Sequence, residues 1–154
     1  MVYETEEGYE DPALTQISAF LQNRVGQLAE LLKILAAEGA AVHGLSIQDS
    51  IDFAVVRLIV DRAEKRLEQL RKKGIFAAEG RVLGVQLERE RTGPLDVCRA
   101  LIQAEINIHY MYPLFTQPRG KSVIIVNIES LHSGVDVLRR AGFKLLDALD
   151  LISG

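Results

Sequence analysis

The chain has 154 residues, 48% of them apolar, with 18 basic and 21 acidic side chains and a formal net charge of -3. That mildly acidic balance disfavours nucleic acid and anionic membranes as partners, and no apolar run approaches the roughly 20 residues needed to cross a bilayer. The single cysteine excludes an intrachain disulfide framework and fits a reducing cytoplasm.

Residues 1–12 carry Glu4, Glu6, Glu7, Glu10 and Asp11 without an apolar segment, and read as an acidic arm rather than a signal peptide. A strand-like run from Leu14 to Leu21 leads into a polar turn ending in Gly26. An amphipathic helix follows, with Leu28, Leu31, Leu32 and Leu35 at helical spacing and Gly39 as its stop. Val42 to Gln48 and Phe53 to Val60 read as a hairpin across Asp49, Ser50 and Asp52. Asp61 followed by Glu64 predicts a capping-box start for a second helix, which Gly74 ends, and a short strand is expected from Ile75 to Ala78.

The order then repeats. Val82 to Leu87 is a strand, Gly93 ends a polar turn, and Leu95, Cys98, Leu101 and Ile102 mark the apolar face of a helix. Ile106 to Phe115 and Ser122 to Ile128 are strands across Pro118, Arg119 and Gly120. Leu131 to Ala141 is a helix with Ser130 at its cap, Gly142 stops it, and Leu145 to Leu151 closes the unit as a strand. Gly26 and Gly93 lie 67 residues apart, which reads as duplication of a small domain. The expected fold is α+β: two ferredoxin-like βαββαβ units in tandem, 13–79 and 80–154, with antiparallel sheets and helices on one face. A half this small buries only about 60% of its unfolded surface, so each half gains by packing on its twin or on another chain.

The strand Phe53 to Val60 sharpens that point. Phe53, Val55 and Ile59 lie on one face and Ala54, Val56, Leu58 and Val60 on the other, so both faces read as buried although helices cover one. The second cover is the other repeat, a second subunit, or packing within one monomer. Arg57 interrupts the first face, either as a structural charge paired with Asp49 or Asp52 or as a clamp for a ligand carboxylate.

Asn23, Arg24, Val25, Gly26, Gln27 and Leu28 resemble the Asp/Asn-x-x-Gly-x-Leu turn of ACT domains, and Ala104, Glu105, Ile106, Asn107 and Ile108 resemble the Ala-Gly-Ile-Asn-Ile run that opens the second strand in that family. Asp52-Phe53 with Arg57, and Tyr110-Met111-Tyr112, are similar to small proteins built of two tandem ACT domains. The resemblance implies a non-catalytic regulatory fold that binds an amino acid where two ACT domains meet, without a cofactor. Glycine at a helix start admits close backbone approach, and the helix N-terminus suits a carboxylate. The implied site residues are Asn23, Arg24, Val25, Gly26, Gln27 and Leu28 in one loop and Glu90, Arg91, Thr92, Gly93, Pro94 and Leu95 in the other. Asn107 and Ile108 join them, with Asn23, Glu90 and Asn107 as acceptors for an ammonium. The second turn lacks the family's proline before glycine, and Ala40-Ala41-Val42 replaces the Ile-Asn-Ile run, so the two sites are expected to differ. The implied partners are a free amino acid, a second copy in a homodimer, and, as the alternative function, an amino-acid biosynthetic enzyme of the acetolactate-synthase type that receives feedback inhibition.

Other constellations are weaker. His43 and His109 occupy matching positions but lack the three or four ligands of a zinc site. Cys98 reads as a core thiol and His132 as a surface residue. Tyr110 and Tyr112 share a strand face, where RNA-binding sheets of similar topology carry aromatic residues that stack bases, but without the basic companion motif and a positive field they read as interface or core packing. No nucleophile, base and oxyanion set is apparent, so no enzymatic activity is expected.

Overall fold

The computed structural model describes residues 11–22, 26–88 and 93–152. Residues 1–10 of the acidic arm and the loop residues Asn23, Arg24, Val25, Glu90, Arg91 and Thr92 therefore lie outside the described residues. The first unit runs β1 (Leu14–Gln22), α1 (Gln27–Ala37), β2 (Val42–Asp49), β3 (Phe53–Val60), α2 (Ala63–Lys72) and β4 (Phe76–Leu87). The second runs α3 (Pro94–Gln103), β5 (Ile108–Pro113), a 3-10 turn (Pro118–Gly120), β6 (Ser122–Ile128), α4 (Leu131–Arg140), β7 (Leu145–Leu146) and α5 (Ala148–Ile152). Both units have the ferredoxin-like strand order, β2-β3-β1-β4 in the first and β5-β6-β4-β7 in the second, with antiparallel pairing throughout.

β4 belongs to both. The strands expected separately from Ile75 and from Val82 form one twelve-residue strand, and the expected boundary between 79 and 80 falls inside it. Phe76 to Val82 pair with β1, while Leu83 to Leu87 pair with β6, and Gly84 and Val85 also with β7. Side chains alternate across a strand, so the odd positions Ala77, Leu83 and Val85 face the helices of their own unit. Val82, at an even position, faces the space between the two sheets.

Three apolar clusters follow. Ile17, Leu31, Leu35, Val56, Leu58, Leu67 and Leu70 fill the first helix–sheet layer, and Leu83, Val97, Leu101, Val126, Val135 and Leu138 the second. Between the two sheets Leu14, Ile59 and Val82 pack on Tyr112, Leu114, Val123 and Ile125. The other repeat thus covers the second face of β3 at Ile59, which is fully buried, but leaves Phe53 44% exposed. Gly84 and Gly44 allow this approach: an added Cβ would come within 2.8 Å of Leu14 Cδ1 and 2.6 Å of Leu114 Cδ2 respectively.

The chain beyond β5 returns to the start of β2, where the Phe115 and Thr116 N–H groups donate to the His43 carbonyl at 3.0 and 3.4 Å. His43 Nδ1 lies 3.0 Å from Thr116 Oγ1. Deeper inside, Gln16 is 3% exposed, donates to the Tyr110 hydroxyl at 2.7 Å and accepts from the Tyr112 hydroxyl at 2.6 Å. Burial, with Tyr110 alongside, pushes the Tyr112 phenol above its ordinary range, so it stays a donor.

Three local expectations are corrected. Asp61 does not cap α2, whose N-cap is Arg62 in the left-handed region at φ 48°. Its carboxylate instead accepts from the Ala41 N–H at 2.7 Å and from Arg66 at 2.8 Å, while Arg66 also donates to the Glu38 carbonyl at the end of α1. After Leu146 the chain turns helical, because Asp147 Oδ1 accepts from the N–H groups of Leu149 and Asp150 while Asp150 Oδ2 accepts from the Asp147 N–H. On α3 the buried residues are Val97 and Leu101; Leu95 and Ile102 are exposed, and Cys98 is half-buried with Sγ 3.8 Å from Met111 Sδ.

Two predictions follow from these contacts. Tyr112→Phe leaves the buried Gln16 oxygen without its donor and should cost about 1–3 kcal/mol in denaturant unfolding, most of it recovered in Gln16→Leu/Tyr112→Phe. Burial holds the pKa of His43 below 6.5 against the opposing pull of Asp61. The unfolded chain therefore takes up a proton that folded His43 resists, so this stability is present above pH 6.5 and lost as pH falls below it. Asp61 is opposed by its burial but held below 3.8 by Arg66 and the Ala41 N–H, so its contribution is lost only in more acid solution. Melting temperature against pH should show both windows, and His43→Gln should flatten the upper one alone.

Candidate functional site

The end of β4, the start of α3 and the turn before β6 enclose a groove of about 670 Å³, lined by Leu87, Glu88, Gly93, Pro94, Gln117, Gly120, Lys121 and Ser122. Pairing of Leu87 with Ser122 brings the last of these to the β4 end. The 3-10 turn is held from behind by Arg119, whose guanidinium meets Asp150 Oδ1 at 2.7 Å. Two predicted residues, Gly93 and Pro94, are therefore in a groove; Glu88, Gln117, Lys121 and Ser122 were not anticipated.

Its charges come as a pair. Lys121 Nζ lies 3.0 Å from Glu88 Oε1, and Gln86 Nε2 donates to Glu88 Oε2 at 2.8 Å. The Gln86 and Lys121 hydrogen bonds hold the Glu88 carboxyl below its usual range, so it is ionised at neutral pH.

The two helix starts differ chemically. At α3, Asp96 Oδ2 accepts from the Gly93 N–H at 2.9 Å, Pro94 has no N–H, and Asp96 and Val97 donate to the Gly93 carbonyl. Leu95 alone keeps an open donor in that turn among the described residues. At α1, Gly26 has φ 90° and no side-chain cap, and the N–H groups of Gly26, Gln27, Leu28 and Ala29 have no partner among the described residues. Leu28 packs on the first core, and Gln27 is half-buried.

The remaining predicted residues do not converge on the groove. Asn107 is tied by its N–H to Glu129 Oε1 at 3.0 Å, and Ile108 pairs with Ile128, six residues along β6 from Ser122, or roughly 20 Å. Ile108 packs against the second core and Leu95 projects to solvent. The Gly26 and Gly93 loops follow opposite ends of the β1–β4 array, since Phe20 pairs with Phe76 at the start of β4 and Gly93 follows its end. Up to roughly 35 Å of extended strand separates them, so one chain does not bring both loops into one site.

Arg57 has neither expected aspartate as its partner. Its guanidinium lies over the Tyr110 ring, 4.0 Å from the centroid, and donates to Gln48 Oε1 at 3.0 Å. Tyr110 and Tyr112 stack with centroids 6.4 Å apart. His109 Nδ1 lies 2.8 Å from Asn127 Oδ1, and no group of three metal-ligating side chains occurs among the described residues. His132 is exposed and faces Asp11 at 3.0 Å.

The sequence model of the ACT domain pair matches residues 13–151. The chain belongs to that family. Protein BT0572 of Bacteroides thetaiotaomicron is similar over 90% of this chain and 95% of its own, at 26% identity and a TM-score of 0.81. The regulatory subunit of aspartate kinase from Thermus thermophilus aligns over 86% of this ACT pair and 94% of its own chain, at 17% identity and a TM-score of 0.58. That from Thermus flavus covers 85% and 94%, at 19% identity and a TM-score of 0.54. These last two share the fold. No curated protein matches the sequence. The ACT domain pair is a regulatory module, and no helix among the described residues is long and apolar enough to cross a membrane.

Removing the carboxylate that caps α3 tests its self-sufficiency. Asp96→Ala should lower stability by about 0.5–2 kcal/mol in urea unfolding, whereas Glu30→Ala in the first turn of α1, where no side-chain cap bond forms, should cost less.

Proposed function

We propose that this ACT pair is a non-catalytic regulatory protein of the cytoplasm that binds a free amino acid and works as a homodimer. The observation that carries the reading is the Glu88–Lys121 pair in the groove beside Gly93. An amino acid presents a carboxylate and an ammonium a few ångströms apart, and an adjacent ammonium and carboxylate on the protein are their complements. Gln117 and Ser122 supply further polar groups at the same wall. The N–H groups at the start of α1, which have no partner among the described residues, support a second, chemically different position for a carboxylate, with Asn23, Arg24 and Val25 preceding it in the chain. Ligand binding would favour one packing of the paired sheets and shift the grip on a second copy or partner.

The alternative is a subunit that docks on an amino-acid biosynthetic enzyme. The acetolactate-synthase type implied by the sequence resemblance is one candidate, and the aspartate kinase regulatory subunits that share the fold add a second enzyme class to the same alternative.

Thermal unfolding against each common amino acid tests the first reading. A ligand at 100 times its dissociation constant should raise the midpoint by roughly 5–10 °C, from about 2.7 kcal/mol of linkage. Gly93 has extended backbone (φ -131°, ψ -177°) and open space where a Cβ would stand, so Gly93→Val should intrude on the groove while the chain still folds, with a small fall in the ligand-free midpoint because valine is a poor N-cap. Binding should be lost in that variant and weakened about 10–100-fold in Lys121→Met. A full midpoint shift in both variants would remove the groove from the proposal, and no shift with any amino acid would favour the docking subunit.

A further inference from the structure

Among the described residues, packing of the two units leaves half of one sheet face uncovered. On the inner side of the first sheet Leu14, Ile59 and Val82 are buried against the second unit, and Arg57 under Tyr110 marks where that cover stops. Beyond Arg57 the same face continues through Phe20, Val55, Phe53 and Phe76. The Phe20 ring lies 5.3 Å from Phe76 and 6.5 Å from Phe53 by centroids. Phe76 is 73% exposed.

Register places Ser18 beside Arg57 and Ala78 beside Ser18 on this face, with Gln48 beside Val55. Arg57 is the one charged residue among these positions, and it already has Tyr110 and Gln48 as partners. An aromatic patch depleted in charge has the composition of an interface core, not of a solvated sheet.

We propose that this bare half is where two copies of the chain meet, sheet face to sheet face. The argument for a second copy is continuity. The patch is the uncovered extension of an interface already formed inside the chain, where the complement of this face is the open face of another sheet of the same fold. A second copy presents such a face, and a two-fold axis through the patch makes it self-complementary. The chain carries net charge -3, which opposes association in general, but these face positions hold no carboxylate to repel a twin. The inference rests on the homodimer reading and adds the face that forms it. It also sets the second chain near the start of α1, since Gly26 lies four residues beyond Gln22, whose Cα pairs with Phe53.

Sedimentation velocity of the full chain over a concentration series is the test. The wild type should sediment at twice the 17.1 kDa chain mass. Phe76→Glu and Ala78→Glu, both at exposed positions, should retain their circular dichroism and a cooperative thermal transition yet sediment as monomers, with a dissociation constant raised at least ~100-fold and a lower melting temperature from the lost association. Ile102→Glu, at an exposed apolar position on α3, should leave the dimer intact. A dimer that survives both sheet substitutions, or one broken by Ile102→Glu instead, overturns the face and leaves the homodimer standing. A wild type that is monomeric at every concentration overturns both.

Discussion

A four-stranded sheet with helices on one side has a second side, which is largely apolar here, and the architecture of this protein follows from how far that side is covered. The helices take the outer sides. The inner sides face each other, and Leu14, Ile59 and Val82 meet Tyr112, Leu114, Val123 and Ile125 between them. Continuous alternation along β4 makes this possible, because a one-residue slip at the junction would turn one set of helices inward. The two glycines at points of closest approach, Gly44 and Gly84, let backbone and leucine side chains come together where a Cβ would intrude.

Apolar burial supplies much of the stability of such an interface but is non-directional. Direction comes from polar groups. Gln16 reaches from β1 to two tyrosines on β5, and the His43 carbonyl accepts from the chain beyond β5. Each ties a particular residue of one unit to a particular residue of the other. The Arg57–Tyr110 contact does so again at the rim of the cover.

The helices and the hairpin were legible because their signals are local. Gly26 and Gly39 bracket α1, and the Phe53–Val60 run matches β3. The fusion of two strands into β4 was not, because Glu79, Gly80 and Arg81 read as a polar break. They are exposed in the structure, but pairing with β1 keeps them extended. On α3 both candidate faces are apolar, so periodicity alone did not separate buried Val97 and Leu101 from exposed Leu95 and Ile102. The helix after Leu146 had a readable signal in Asp147 and Asp150, set against a leucine-rich run that suits a strand equally well. At the candidate site, Gly93 and Pro94 were named from the sequence, whereas Glu88 and Lys121 stand 33 residues apart and meet only through β4–β6 register.

A duplicated domain is often pictured as two beads on a string, each able to move to another gene. Here the string is part of both beads. A recombination breakpoint anywhere between Phe76 and Leu87 would strip a ladder from one sheet, and an upstream or downstream cut would leave an unpaired strand on the piece that kept β4. The pair is therefore one physical unit, and neither half can be cut away with both sheets intact.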